Sequence, residues 1–180
     1  MIAHPALSCS PEDLLRLPEL TLTVQCVFTV PFIFFFHEER QVAFMVDFHT
    51  NSEGHDYAMN ISKTGPIVFD HVQSNYGHGY STSTGKFIVP YPGLYWFRVH
   101  FMSTYNGEGT IGIFSNAITG HGFGCYAYAE DLNVDSNDQA SCDLVMHFRT
   151  GDEVYVKYHF GEPYIWTGWS NFLGALITPD

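Results

Sequence analysis

A strand with one wholly apolar face lies near the middle of this sequence and sets the first constraint on the fold. Its apolar residues are Tyr95, Phe97, Val99 and Phe101, and they alternate with Trp96, Arg98, His100 and Met102. Because successive side chains of a strand point to opposite faces, the alternation predicts a β-strand with one face in a core. Upstream, residues 67–69 form a short β-branched and aromatic run, and a segment rich in Gly, Ser and Asn that we expect to be a loop follows it.

The order of anchor residues from Pro66 to Phe101 resembles the signature of the complement C1q globular domain, a relative of the tumour necrosis factor fold. The matched positions are Phe69, Asn75, Tyr80, Phe87, Gly93, Tyr95 and Phe97. One position departs, because Val99 stands where the family usually has Phe or Tyr. Valine keeps an apolar, β-favouring side chain on the same face, so we interpret the change as repacking of the core and not as loss of the fold.

Two later segments agree with this resemblance. Residues 151–156 look like the family's Gly-Asp turn and penultimate strand. Residues 170–177, with Phe172 and Gly174, look like its last strand, which lies centrally in a sheet. With an opening strand at 42–48, the resemblance covers roughly residues 41–180. It implies an all-β jelly roll of about ten antiparallel strands in two packed sheets with Greek-key order, assembled as a homotrimer.

The local pattern also predicts a hairpin near the end of the chain. Residues 143–148 and 154–160 are strand-like runs, and Thr150-Gly151-Asp152 between them has the composition of a tight turn. The following residues, 161–168, are predicted to form a loop.

Composition supports many short strands and restricts the partners. Aromatic residues make up 17% and charged residues only 14% of 180 residues, with 16 glycines, which suits strands joined by tight turns. Seven basic and 19 acidic residues give a net charge of -12, and no Lys/Arg cluster occurs along the sequence. We therefore expect no nucleic acid partner, and a neutral glycan, a protein or an anion bridged by a divalent metal fits better.

Residues 1–40 have no counterpart in the resemblance, and their role is unknown. Residues 20–36 are uncharged and strongly apolar, but the run is only 17 residues long and contains Gln25 and Pro31. Three interpretations stay open: a degenerate secretion signal, an apolar segment packed on the domain, or a membrane anchor, which we favour least. The solvated stretch 37–41 marks the predicted boundary between this extension and a C1q-like domain at 41–180.

An acidic loop between Tyr126 and Ser141 is the candidate metal site. Its candidate calcium ligands are Asp131, Asn133, Asp135 and Asp138. Calcium needs several converging hard oxygens, which this spacing offers. The loop is no EF-hand, because Ser136 and Cys142 replace the required Gly and Glu. The resemblance raises the expectation, since the equivalent loop supplies calcium ligands in some family members. A plain solvated acidic loop is the alternative.

Cys125 and Cys142 flank this loop and are the candidate disulfide pair. The resemblance implies an oxidising compartment, and a bridge closing 17 residues would add about 3 kcal/mol by the chain-entropy model. Buried free thiols are the alternative. Asn60-Ile61-Ser62 is a candidate N-glycosylation sequon for a secreted chain.

Three aromatic residues near the predicted loop 161–168 are candidate ligand-binding residues. Tyr164, Trp166 and Trp169 carry rings that stack on sugar faces or fill partner pockets when exposed. Packing over a sheet end or at a subunit contact is the alternative.

The sequence gives no support for an enzyme. Ten histidines form no zinc-ligand spacing, and no nucleophile, base and oxyanion arrangement is recognisable. The resemblance implies a secreted trimeric recognition module, similar to the stand-alone C1q-domain proteins of invertebrate innate immunity, that binds glycans or microbial surfaces in a lectin-like way. The alternative is a trimeric extracellular ligand for a cell-surface receptor, or an extracellular scaffold.

Overall fold

The computed structural model describes residues 40–104, 108–129 and 138–180, and these ranges contain twelve β-strands and one 3-10 turn. The strands are β1 (Ala43–Asp47), β2 (Ala58–Asn60), β3 (His71–Tyr76), β4 (Tyr80–Ser81), β5 (Lys86–Ile88), β6 (Gly93–Met102), β7 (Gly109–Ser115), β8 (Phe123–Ala129), β9 (Gln139–Phe148), β10 (Glu153–Gly161), β11 (Tyr164–Trp166) and β12 (Asn171–Pro179). The 3-10 turn spans Thr167–Trp169.

Ten of these strands form two five-stranded sheets. Sheet I has the order β3-β1-β12-β6-β9 and sheet II has the order β4-β5-β10-β7-β8, with antiparallel neighbours throughout. The inward faces of both sheets contribute to one hydrophobic core, so the predicted two-sheet jelly roll is confirmed. β12 lies centrally in sheet I, as expected. A separate two-stranded sheet pairs β2 with β11.

The predicted hairpin is wrong, because its two strands belong to different sheets. β9 pairs with β6 in sheet I, whereas β10 lies between β5 and β7 in sheet II. The turn is tight, as predicted, but both its sides bind Val89: the Gly151 amide donates to the Val89 carbonyl, and the Val89 amide donates to the Asp152 carbonyl, each at 2.9 Å. This anchoring directs β10 into sheet II, where its buried residues face those of β9 across the core.

The segment from residue 67 to 85 also differs from the prediction. Phe69 is buried, but residues 67–69 are not a strand, and the expected loop contains β3 and β4. The reason lies in the Tyr80 hydroxyl, which accepts a hydrogen bond from the Phe69 amide and donates one to the Phe69 carbonyl, both at 3.1 Å. Phe69 thus pairs with a side chain instead of a strand.

The signature residues occupy the core and the turn that closes it. The buried members are Phe69, Tyr80, Phe87, Tyr95, Phe97 and Phe172. Asn75 acts differently, because its amide nitrogen donates to the Tyr80 carbonyl at 2.9 Å and its oxygen accepts from the Tyr80 amide at 3.2 Å. These two bonds close the β3–β4 turn. Val99 is fully buried on the core face of β6, in agreement with its interpretation as a packing change.

Two signature glycines are explained by close packing. A Cβ at Gly174 would overlap the rings of Phe97 and Phe44, so glycine allows both rings to lie flat on β12. At Gly93 a Cβ would overlap the Thr178 carbonyl and lie 2.8 Å from the Leu176 side chain. Glycine therefore lets the start of β6 approach the end of β12.

Replacing Tyr80 with Phe tests the hydroxyl that binds Phe69. Tyr80→Phe leaves a buried amide and carbonyl without their partner, and we expect a loss of about 1–3 kcal/mol in the free energy of unfolding. Tyr76→Phe is the matched control, because Tyr76 is 64% exposed. Chemical denaturation measures both variants. Equal stability of the two variants would contradict the assigned role of the Tyr80 hydroxyl.

Candidate ligand-binding surface

The predicted aromatic loop is a strand and a 3-10 turn. β11 pairs with β2 so that Tyr164 lies opposite Asn60 and Trp166 lies opposite Ala58. Ile165, between the two aromatic residues, is buried in the core. Because side chains alternate along a strand, Tyr164 and Trp166 share the outer face of this small sheet. The sequence did not show this strand, because its three residues pair with another three-residue strand far away in the chain.

A hydrogen-bond network holds the turn beneath Trp169. The Tyr57 amide donates to the Thr167 hydroxyl and the Thr167 amide donates to the Tyr57 carbonyl, both at 3.1 Å. The Ser170 hydroxyl donates to the Trp166 carbonyl at 2.7 Å and accepts from the Met102 amide at 3.3 Å. Thr167 and Ser170 are buried, so the turn is fixed to β6.

The three aromatic candidates differ in exposure. Tyr164 is 42% exposed and Trp169 is 55% exposed, whereas Trp166 is half-buried. The indole nitrogen of Trp166 is buried and has no hydrogen-bond partner among the described residues. Tyr164 and Trp169 are therefore placed to meet a ligand, and Trp166 is placed to pack.

Asn60 lies beside this aromatic surface. It is exposed, and it stands directly across from Tyr164 in the β2–β11 ladder. A glycan attached to Asn60 would start next to the Tyr164 ring. The glycosylation site and the ligand site predicted from sequence are thus neighbours.

The calcium prediction falls mainly on residues outside the described ranges. Asp131, Asn133 and Asp135 lie outside them, and only Asp138 is described. The Asp138 carbonyl accepts hydrogen bonds from the Ser103 amide at 2.8 Å and the Ser103 hydroxyl at 3.3 Å. Within residues 40–104, 108–129 and 138–180, no group of three or more His, Cys, Asp or Glu residues is placed to hold a metal ion. The calcium site stays a prediction.

Cys125 and Cys142 form a disulfide in the structure, as the sequence predicts. Their Cα atoms are 5.9 Å apart. β8 is the edge of sheet II and β9 is the edge of sheet I, so the bond joins the two sheets along one side of the sandwich. It stands at the base of the loop that carries the candidate calcium ligands.

A second aromatic surface covers the outer side of sheet II, and the sequence analysis missed it. We call it the outer aromatic face; it comprises Phe114, Phe123, Tyr126, Tyr128, Tyr155, His159 and Phe160. Ring centroids are 3.9 Å apart for Phe123 and Tyr126 and 4.7 Å apart for Tyr126 and His159. The residues come from β7, β8 and β10, so only strand order and register bring them together.

Comparison with known proteins identifies the family. The family model described as the C1q domain matches residues 43–176. The chain belongs to the C1q domain family. Members of this C1q and tumour necrosis factor group are non-enzymatic signalling or recognition proteins, in agreement with the expectation that this chain is not an enzyme. In the described ranges of this C1q-domain protein, no helix has the length and apolar character that crossing a membrane requires.

Sequence relatives include complement C1q tumor necrosis factor-related protein 2 of Mus musculus, 33% identical over 123 residues, which is 64% of this chain and 38% of the mouse protein. The Homo sapiens protein of the same name is also 33% identical, with 64% of this chain and 40% of the human protein covered. The C1q-domain chain thus spans about two fifths of the length of these curated relatives.

Solved structures share the fold. The globular domain of zebrafish complement 1qA matches with a TM-score of 0.61 at 17% identity, over 77% of this chain and 99% of that domain. The Eiger tumour necrosis factor of S. frugiperda matches with a TM-score of 0.59 at 14% identity, over 78% of this chain and 95% of that chain. At these identities the likeness shows the fold alone.

Removing the disulfide tests how much it stabilises the sandwich. We expect Cys125→Ala/Cys142→Ala to lower the free energy of unfolding by about 3 kcal/mol, because the unfolded chain regains the entropy of a 17-residue loop. Thermal unfolding with and without reductant measures the effect. Reductant should lower the melting temperature of the wild-type chain and leave that of the double variant unchanged. A wild-type melting temperature that is the same with and without reductant would contradict the expectation.

Proposed function

We propose that this chain is a secreted homotrimeric recognition module that binds glycans or microbial surface ligands in innate immunity. The observation that carries the proposal is the pair of exposed rings, Tyr164 and Trp169, on a rigid support in a C1q-domain protein. Multivalent display on a trimer raises the weak affinity of a single sugar site.

The disulfide supports an extracellular location. Disulfides persist in oxidising compartments and are rare in reducing ones. The bond between Cys125 and Cys142 and the exposed sequon at Asn60 both suit a secreted chain.

The outer side of sheet I supports the trimer. Its outward side chains include the apolar residues Met45, Leu94, Trp96, Val145 and Leu173, and the charged residues Arg98 and Asp143 lie among them. Exposed apolar surface of this kind marks protein interfaces. His100 lies on the same side, and its partial burial, together with the neighbouring Arg98 charge, lowers the pKa of His100 below its ordinary value. The imidazole is therefore mostly neutral at pH 7, which suits a face that becomes covered.

The alternative function is a trimeric ligand for a cell-surface receptor, or an extracellular scaffold. The names of the relatives support it, since they are complement C1q tumor necrosis factor-related proteins. Saturable binding to one purified receptor would favour this alternative over the lectin function.

Calcium remains part of the proposal. Asp131, Asn133, Asp135 and Asp138, which lie between Cys125 and Cys142 in the sequence, would supply hard oxygen ligands. Binding measured in calcium and again in chelator tests this point. Binding that is unchanged in chelator would contradict the calcium site and would remain compatible with the sugar site.

Substitution of the exposed rings tests the recognition function. The full chain, produced in secreting eukaryotic cells, is applied to a panel of glycans and microbial surfaces. Against the glycan that binds best, we expect Trp169→Ala and Tyr164→Ala each to weaken binding roughly tenfold, because each removes a stacking ring. Tyr91→Ala is the control, since Tyr91 is also exposed but lies between β5 and β6, away from both Tyr164 and the outer side of sheet I. A similar loss in all three variants, or in none, would contradict the proposed site.

The chain's own glycan provides a second test of the same surface. A glycan on Asn60 would cover Tyr164 and compete with an external ligand. We therefore expect Asn60→Gln to bind the selected glycan more tightly than the glycosylated wild-type chain. Tighter binding by the glycosylated chain would show that Tyr164 is not a contact for the external ligand.

Placing a charge on the outer side of sheet I tests the trimer. Val145 is 57% exposed and pairs with Trp96 across the β9–β6 ladder. We expect Val145→Glu to convert trimers to monomers in sedimentation velocity, because a carboxylate would be buried at the subunit contact. Ile88→Glu is the control, since Ile88 is 39% exposed but lies on sheet II. Trimers that survive Val145→Glu would exclude this face as the interface.

A further inference from the structure

A cavity of about 590 Å³ opens on the outer aromatic face of sheet II. The side chains that matter in it are Lys63, His121, Phe123, Tyr126, Lys157 and His159. We propose that this cavity binds an acidic sugar residue, which is a pyranose ring that carries a carboxylate. The site goes beyond the proposed function, because neither Tyr164 nor Trp169 lines it.

The cations of the cavity supply the charge complementarity. The chain has only three lysines, and each ammonium lies over an aromatic ring: Lys63 over Tyr158 at 5.7 Å, Lys86 over Tyr155 at 5.5 Å and Lys157 over Phe114 at 5.4 Å. Lys86 also pairs with Glu153 at 2.7 Å. Among the described residues, no carboxylate lies within ion-pair distance of Lys63 or Lys157. On a chain with a net charge of -12, two such cations in one cavity favour an anionic ligand there.

The rings of the cavity supply a stacking surface. Phe123 lies across β7 at Gly112, where a Cβ would come within 2.8 Å of its ring. His159 stands edge-on to Phe123 at 5.0 Å and is exposed, because a register shift in β10 between Tyr158 and Phe160 interrupts the ladder beside it. The C–H face of a pyranose stacks on such rings. The imidazoles of His121 and His159 and the Tyr126 hydroxyl offer hydrogen bonds to sugar hydroxyls.

The same geometry disfavours an acidic peptide. Extended peptides are bound through free backbone groups at a sheet edge. Here β10 lies between β5 and β7, and β7 lies between β10 and β8, so these two strands use their backbone groups in the ladders. The third strand that lines the cavity, β8, is the edge of sheet II, and the Cys125–Cys142 disulfide ties it to β9. The ligand is therefore recognised by side chains. The carboxylate of an acidic sugar would lie near the two lysines, and its pyranose ring would stack on the aromatic rings.

The test compares glucuronate with glucose. The two sugars differ only in the substituent on C5, which is a carboxylate in glucuronate and a hydroxymethyl group in glucose. The full wild-type chain is bound to polymers that display one sugar or the other, with the free sugar as competitor. We expect roughly tenfold tighter binding to the glucuronate polymer. Lys157→Met should reduce that binding to the glucose level, and Tyr126→Ala should weaken binding to both polymers. Lys86→Met is the matched control, because Lys86 also lies over a ring but does not line the cavity; it should leave the preference unchanged.

Four results of these binding and sedimentation measurements would overturn the assignment, and a fifth and sixth come from Lys157→Met and Trp169→Ala below. Equal binding of the two polymers would show that the carboxylate is not recognised. An equal loss of binding in Lys86→Met and Lys157→Met would show that the preference comes from the net charge of the chain and not from the cavity. A glutamate-rich peptide that binds the cavity more tightly than glucuronate would make the ligand a peptide. Loss of assembly in Lys157→Met and Tyr126→Ala, measured by sedimentation, would make this face a contact between copies of the chain.

Trp169→Ala separates this site from the proposed function. It should leave glucuronate binding intact even where it abolishes binding at the Tyr164 surface. The proposed function fails if Trp169→Ala binds the selected glycan as well as the wild-type chain does. The cavity assignment fails if Lys157→Met keeps the preference for glucuronate. Loss of glucuronate binding in Trp169→Ala would contradict the assignment to the cavity.

Discussion

The packing of aromatic rings around Phe97 is the interaction on which the rest of the structure depends. Its ring lies 5.4 Å from Phe87 of sheet II, and 5.5 Å from Phe148 and 6.2 Å from Phe172 of sheet I. One side chain thus contacts both sheets at the centre of the sandwich. Large rings fill the space between the sheets while having few rotatable bonds. Gly174 beneath Phe97 provides the room that these rings need.

Because rings occupy the inward faces, the remaining aromatic residues lie on outward surfaces. Three surfaces result, and they differ in chemistry. The outer side of sheet I combines apolar side chains with Arg98, Asp143 and a half-buried histidine. The β2–β11 surface carries isolated exposed rings beside a sequon, and the outer aromatic face of sheet II combines rings with lysines. The proposed assembly, the proposed glycan binding and the proposed anion binding would therefore use separate surfaces of one domain.

The sequence predicted the fold through spacing within single strands, and it failed where pairing between strands decides the outcome. Alternation predicted β6, and the two-sheet sandwich followed from the family resemblance that the anchors from Phe69 to Phe97 carry. The turn at Gly151 was predicted, but not that Val89 binds it and sends β10 to the other sheet. Likewise Lys63 and Lys157 were counted as dispersed charges, because nothing local indicates that Pro66 bridges to Lys157 and brings both lysines to one cavity. Tyr164, Trp166 and Trp169 were all named as candidates from a predicted loop, and only the strand pairing separates the half-buried Trp166 from the two exposed rings.

The disulfide between β8 and β9 has a consequence for how this domain can diversify. The chain between Ala129 and Asp138 connects two strands whose Cys125 and Cys142 Cα atoms are held 5.9 Å apart. The entropy of closing a loop grows only slowly with its length, about 0.6 kcal/mol for each doubling. We therefore expect insertions, deletions and sequence changes between these anchors to have little effect on the sandwich. The Cys125–Cys142 disulfide makes the connection between β8 and β9 suitable for grafting foreign binding loops or randomised libraries onto an otherwise unchanged scaffold.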